Sequence, residues 1–116
     1  MNTIRNNVSL IGRIGKEPKV HTFGDGKKLA RIGLITSERY RNNQGQYVTD
    51  AQCHQVVAWG KKAIYIEKYL EKGQQVAITG KLITRSFVNE AGEKRYQTEI
   101  HLTEITKLVT QHLEVA

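Results

Sequence analysis

The chain has 116 residues, with 18 Lys and Arg against 11 Asp and Glu and a formal net charge of +7, a length that suits one domain with its own core. A single Cys excludes an internal disulfide framework and a Cys-rich zinc site, and no apolar run approaches the roughly 18 residues of a membrane helix. So large a basic excess in so small a domain points to a polyanionic partner; no segment has the basic amphipathic pattern of a membrane-surface helix.

Taken in chain order, Val8–Ile14 alternates in period two and predicts a strand, with Val8, Leu10, Gly12 and Ile14 on one face. Pro18 ends it. Residues 19–23 are extended, and Gly24-Asp25-Gly26 is a tight turn. Residues 28–40 predict a long strand with Ala30, Ile32, Leu34 and Thr36 on one face, closed by the turn cluster Asn42-Asn43-Gln44-Gly45. Residues 50–59 are the next strand. Ala63, Ile66 and Leu70 recur at helical spacing through residues 61–71, and Lys72-Gly73 stops that helix. Residues 75–87 and 94–105 predict two strands joined by the turn Asn89-Glu90-Ala91-Gly92. Three strands, a helix and a two-strand hairpin is the element order of an all-β OB-fold, a five-stranded Greek-key barrel, though other small barrels compete for it. Residues 1–107 form that domain, and residues 108–116 a short helix or tail.

Signs of catalysis are nearly absent. Cys53 and His54 are adjacent, but neighbours on a strand point to opposite faces and cannot act as nucleophile and base. His21, His54, His101 and His112 lack metal-ligand spacing. Gly24-Asp25-Gly26 lacks the Gly-Lys-Ser/Thr end of a phosphate loop. The carboxylates are scattered and expected to be solvated. No enzyme activity, metal or cofactor is expected.

Strand parity carries more. In residues 75–87, Val76, Ile78, Gly80 and Leu82 make one face, while Lys81, Ile83, Arg85 and Phe87 make the other. Before the helix, His54, Val56 and Ala58 oppose Cys53, Gln55, Val57 and Trp59. With the aliphatic faces inside a barrel, Trp59 and Phe87 look outward among Lys81 and Arg85. Rings interleaved with cations are what a single-stranded nucleic acid needs, since bases stack on rings and phosphates follow cations. The alternative for Trp59 is packing under a loop or at a subunit contact. Tyr40, between Arg39 and Arg41, is a further candidate ring. Lys27, Lys28, Arg31, Lys61 and Lys62 complete the phosphate-contact candidates. Tyr65, Tyr69 and Tyr96 are assigned structural roles, whereas Phe23 and Tyr47 have no assigned place.

The opening Asn6-Asn7-Val8-Ser9-Leu10-Ile11-Gly12-Arg13-Ile14-Gly15-Lys16-Glu17-Pro18 resembles the N-terminal strand of the bacterial single-stranded DNA-binding protein family. Thr36-Ser37-Glu38, His54-Gln55-Val56-Val57-Ala58-Trp59-Gly60-Lys61, Tyr69-Leu70-Glu71-Lys72-Gly73 and Gly80-Lys81-Leu82-Ile83-Thr84-Arg85 are similar to its later signatures. The resemblance, over about residues 4–107, implies an OB-fold that binds and protects single-stranded DNA without sequence preference during replication, recombination and repair. It implies a homotetramer, or alternatively a homodimer, in the bacterial cytoplasm at the nucleoid. The family's stacking positions fall on Tyr40, Cys53, Trp59 and Phe87, with Cys53 standing where the family usually has an aromatic. The sequence carries no acidic tail after a disordered linker, so tail-mediated recruitment of repair enzymes is not expected. The first strand has apolar side chains on both faces, Ile11 opposite Val8 and Leu10, and would be an edge strand open to a second copy. The resemblance also places His54 at a subunit contact; the competing assignment is a hydrogen-bonded barrel histidine. Two other functions compete: a tailless primosomal adaptor of replication restart with the same fold, and an OB-fold subunit that binds protein.

Overall fold

A computed structural model describes residues 5–108; residues 1–4 and 109–116, including most of the C-terminal extension, lie outside the described residues. The elements are β1 (Val8–Ile14), β2 (Lys19–Thr22), β3 (Lys28–Arg41), β4 (Tyr47–Trp59), α1 (Lys61–Tyr69), β5 (Gln75–Val88) and β6 (Lys94–Lys107). The six strands form one sheet in the order β1-β5-β6-β4-β3-β2, and a pairing of β1 with β3 closes five of them into a barrel. All pairings are antiparallel except β4 with β6. This is the expected OB-fold architecture. The segment 19–23, expected only to be extended, supplies β2, a short added strand on the free edge of β3. The helix ends two residues early, because Leu70 already has extended dihedrals.

The alternation seen in the sequence becomes the inside and outside of the barrel. Ile14, Ile32, Leu34, Val56, Val76, Ile78 and Ile100 fill the interior, and α1 adds Ala63 and Ile66 to the same cluster. Two strand crossings need glycine. A Cβ on Gly12 would lie 2.4 Å from the carbonyl oxygen of Ile35, and one on Gly80 2.5 Å from that of His101. Beside Gly80, Thr79 pairs with Glu104 but Gly80 pairs with Leu102, so Thr103 is an extra residue in β6. Its hydroxyl donates to the Thr79 carbonyl at 2.9 Å. This bulge reverses the parity of β6, so Leu102 points inward before it and Ile105 packs on the core after it.

Beyond the barrel, both long hairpins continue as two-stranded arms, residues 37–41 with 47–51 and, past Leu82, residues 83–88 with 94–99. There the period-two pattern no longer separates core from solvent. Leu82, expected inside, is 47% exposed, and Tyr96, expected to be structural, is 65% exposed beneath Lys94. Tyr65 packs against the core, and the exposed Tyr69 lies against the Tyr65 ring at 5.2 Å.

Candidate nucleic-acid interface

The outward residues of β3 and β4 stand opposite one another in pairs: Leu29 with Trp59, Arg31 with Val57, Gly33 with Gln55, Ile35 with Cys53, and Arg41 with Tyr47. Because cross-strand partners share a face, Tyr47, Cys53, Gln55 and Trp59 lie on one surface of β4. On β5 and β6 the outward pairs are Lys81 with His101, Ile83 with Glu99, Arg85 with Gln97 and Phe87 with Arg95. Since β4 and β6 are neighbours, the two sets make one continuous outer face, with β2 at its margin.

Trp59 is half exposed, and Phe23 stacks on it with centroids 5.8 Å apart and ring planes 17° from parallel. His21 meets the edge of Phe23 at 4.4 Å. Lys27 borders the same hollow as Phe23 and Trp59. Phe87 is likewise half exposed, on the β5–β6 arm. On the β3–β4 arm, the Arg39 and Arg41 guanidinium carbons lie 4.7 and 5.0 Å from the Tyr47 ring. Tyr40, paired with Val48, points to the other side of this arm. Cys53 is exposed beside Gly33, whose missing side chain leaves a groove bounded by Lys16, Lys19, Arg31, Ile35 and Gln55.

The other candidate residues are dispersed. Lys28 faces away from Trp59 and pairs with Glu67 of α1 at 2.6 Å. Lys61 and Lys62 open onto a separate groove beside Tyr65 and Thr79. Val8 and Leu10 are half-buried against the core, whereas Ile11 is 60% exposed. The β1 edge facing β3 is paired only at Arg13 and Ile14. His54 shares the interior parity of Val56 and bonds the Thr36 hydroxyl through Nε2 at 3.0 Å.

Sequence reasoning missed Glu99. It is 2% exposed, so the expectation that the carboxylates are solvated fails here. Arg85 and Arg31 donate to it at 2.8 and 3.1 Å, and His101 Nε2 lies 3.5 Å away. Burial pushes the Glu99 carboxyl up, but hydrogen bonds from Arg85 and Arg31 and their charges outweigh it, holding the group below its ordinary value. Phe23 and Tyr47 were missed for another reason: each shares the outward parity of Trp59's face, but lies on a strand or strand end that the sequence pattern did not assign. Among the described residues, no group of three or more His, Cys, Asp or Glu is placed to hold a metal ion, and no helix is long and apolar enough to cross a membrane.

The sequence model of the Single-strand binding protein family matches residues 5–108. Single-stranded DNA-binding protein 1 of Chlorobaculum tepidum is 39% identical over 104 residues, which are 89% of this chain and 64% of that relative's length. Among solved structures, the Plasmodium falciparum SSB in complex with ssDNA superposes with a TM-score of 0.83 at 31% identity, covering 94% of this chain and 100% of the other. A deletion mutant of the Thermus aquaticus single-stranded DNA binding protein gives a TM-score of 0.77 at 26% identity, over 90% of this chain and 50% of the other. With an OB barrel, an outer face of half-exposed rings among cations, and a family match over nearly its whole length, the chain belongs to the Single-strand binding protein family.

Proposed function

We propose that this chain binds and protects single-stranded DNA without sequence preference, in replication, recombination and repair. The observation that supports it best is the outer face, where Trp59 and Phe87 stand half exposed among Lys27, Lys81, Arg31, Arg39, Arg41 and Arg85. Bases stack on the rings and phosphates follow the cations. Tyr47 extends the stacking face, Tyr40 serves the far side of the same arm, and Cys53 is a gap between platforms. Lys28, Lys61 and Lys62 meet strand that passes round the side of the barrel. The binding domain is residues 1–107, followed by the extension 108–116, and the protein works in the bacterial cytoplasm at the nucleoid.

The chain assembles with itself, as a homotetramer or a homodimer, through the half-free edge of β1. The exposed Ile11 supports this reading, with Val8 and Leu10 half-buried beside it on β1, and His54 of β4 belongs to the same contact. Light scattering on wild type and Ile11→Lys tests it: a smaller assembly for the variant is expected, and a monomeric wild type overturns it.

Quenching of Trp59 fluorescence during titration with poly(dT) at several salt concentrations tests the DNA reading. Log affinity should fall linearly with log salt, by about 0.7 for each phosphate neutralised. A flat salt response, or a preference for duplex over single strand, would refute it.

A further inference from the structure

The Glu99 cluster has more cation than a buried carboxylate requires. One guanidinium suffices to neutralise it, yet two arrive, from strands that are not neighbours in the sheet. Arg31 comes from β3 and Arg85 from β5, with β4 and β6 between them. Both donate to the same oxygen, Oε2, at 3.1 and 2.8 Å, while Oε1 faces His101. Sharing one acceptor draws the two guanidinium groups to one point at the middle of the outer face. The Glu99 side chain is 1% exposed, whereas those of Arg31 and Arg85 are 43% and 53% exposed. The carboxylate is thus sealed beneath two cations that remain open to solvent.

Each guanidinium carries five N–H donors in a planar fork, and the bond to Glu99 occupies one of them. The trio keeps a net positive charge, with Lys81 beside it across from His101. Two convergent forks with spare donors match the oxygens of a phosphate group, which arginine engages in bidentate fashion. Gly33, next but one to Arg31 on its own strand, places no side chain over the approach.

We propose that Arg31 and Arg85, drawn together by Glu99, form a single phosphodiester-binding site at the centre of the face, with Glu99 as its positioning residue. The inference rests on the DNA-binding reading above and sharpens it: these two cations act on one phosphate as a unit, not on two phosphates independently.

The test is a cycle of Arg31→Met, Arg85→Met and the double variant, read by anisotropy of a labelled dT oligonucleotide across a salt series, with a thermal melt for each protein. Each single variant should weaken binding by about tenfold or more and make the salt slope shallower by about 0.7. The double variant should lose little beyond either single one. Losses that multiply, with a slope shallower by about 1.4, would overturn the inference, and so would unchanged binding in all three.

A double variant that leaves Glu99 buried and unpaired risks unfolding, so a second measurement uses the wild type. In a titration with inorganic phosphate, the side-chain Nε–H signals of Arg31 and Arg85, assigned from the single variants, should move with one common midpoint. Separate midpoints, or no movement, would overturn the shared site. In Glu99→Gln the two midpoints should part; midpoints that stay together would remove Glu99 as the positioning residue. A wild type that fails to bind dT at any salt defeats the DNA reading, while the phosphate titration still decides the two-arginine site.

Discussion

Trp59→Ala removes the ring on which Phe23 stacks at 5.8 Å. Phe23 stacks on the indole, and Trp59 as a whole stays 48% exposed. A half-exposed ring accommodates one base, so the expected loss in single-strand affinity is about 1–3 kcal/mol, or roughly 5- to 150-fold in Kd. The cost to the fold comes from the lost stack, about 0.5–1.5 kcal/mol, plus partial uncovering of Leu29, the buried cross-strand partner of Trp59. A barrel core that lies on the other face of β4 is untouched, so the variant should melt at a modestly lower temperature in one cooperative transition. Because Trp59 is the chain's only Trp, binding is read by anisotropy of a labelled dT oligonucleotide, with Trp59→Phe as the variant that keeps a ring. A folded Trp59→Ala that binds as tightly as wild type refutes the stacking argument. A variant that loses binding only by unfolding makes Trp59 a packing residue.

The two tyrosines of the β3–β4 arm should separate: on a short oligonucleotide, Tyr47→Ala loses about 1–3 kcal/mol of binding while Tyr40→Ala, on the opposite side, loses less, and the reverse order would show that DNA follows the other side of the arm. Cys53→Trp adds a ring beside the open space at Gly33 and should tighten binding by up to about 1–3 kcal/mol; weaker binding together with a lower melting temperature would mean that the ring clashes with Ile35. The Glu99 carboxyl lies below its ordinary value in the fold, so its contribution to stability is complete above the unfolded value of about 4.3 and is lost as the pH falls through the lower folded value. Urea midpoints of wild type should therefore decline below about pH 4.3, and those of Glu99→Gln should decline less; parallel curves for the two proteins would contradict the ion-pair account.

Within the barrel, period two was enough to place the core. Ala30, Ile32, Leu34, Val56, Ala58, Val76 and Ile78 alternate in the sequence and are buried in the fold, because each strand there has one face on a shared interior. The same rule misplaced Leu82 and Tyr96, since it carries no information about where the interior stops. It also gave no warning of the bulge at Thr103, which moves the inward positions of β6 from even to odd numbers. Glu99 was illegible for a different reason. Its partners lie 14 and 68 residues away, and a carboxylate surrounded by Gln97, Thr98 and Ile100 in sequence has no local sign of either arginine. Trp59 and Phe87 were recoverable because each is a ring at an outward position of a strand whose inward positions are clearly aliphatic. Phe23 needed the pairing of β2 with β3, which four residues of strand do not announce.

The three hairpin turns are copies of one another. In each, the fourth residue is a glycine with positive φ, Gly26 at 88°, Gly45 at 77° and Gly92 at 81°, and the first residue exchanges backbone hydrogen bonds with the fourth and fifth: Phe23 with Gly26 and Lys27, Asn42 with Gly45 and Gln46, and Asn89 with Gly92 and Glu93. At the two arm tips, the first residue is an asparagine whose Oδ1 also accepts two backbone N–H groups from within the turn. Such turns fix hairpin register from inside five residues. The consequence is kinetic. β2–β3, β3–β4 and β5–β6 can each zip up from its own tip, at the microsecond pace of an isolated hairpin, before the rest of the chain is in place. What remains is the slow part of folding: the β1–β5, β1–β3 and β4–β6 seams have no turn to set their register and must wait for distant pieces to meet.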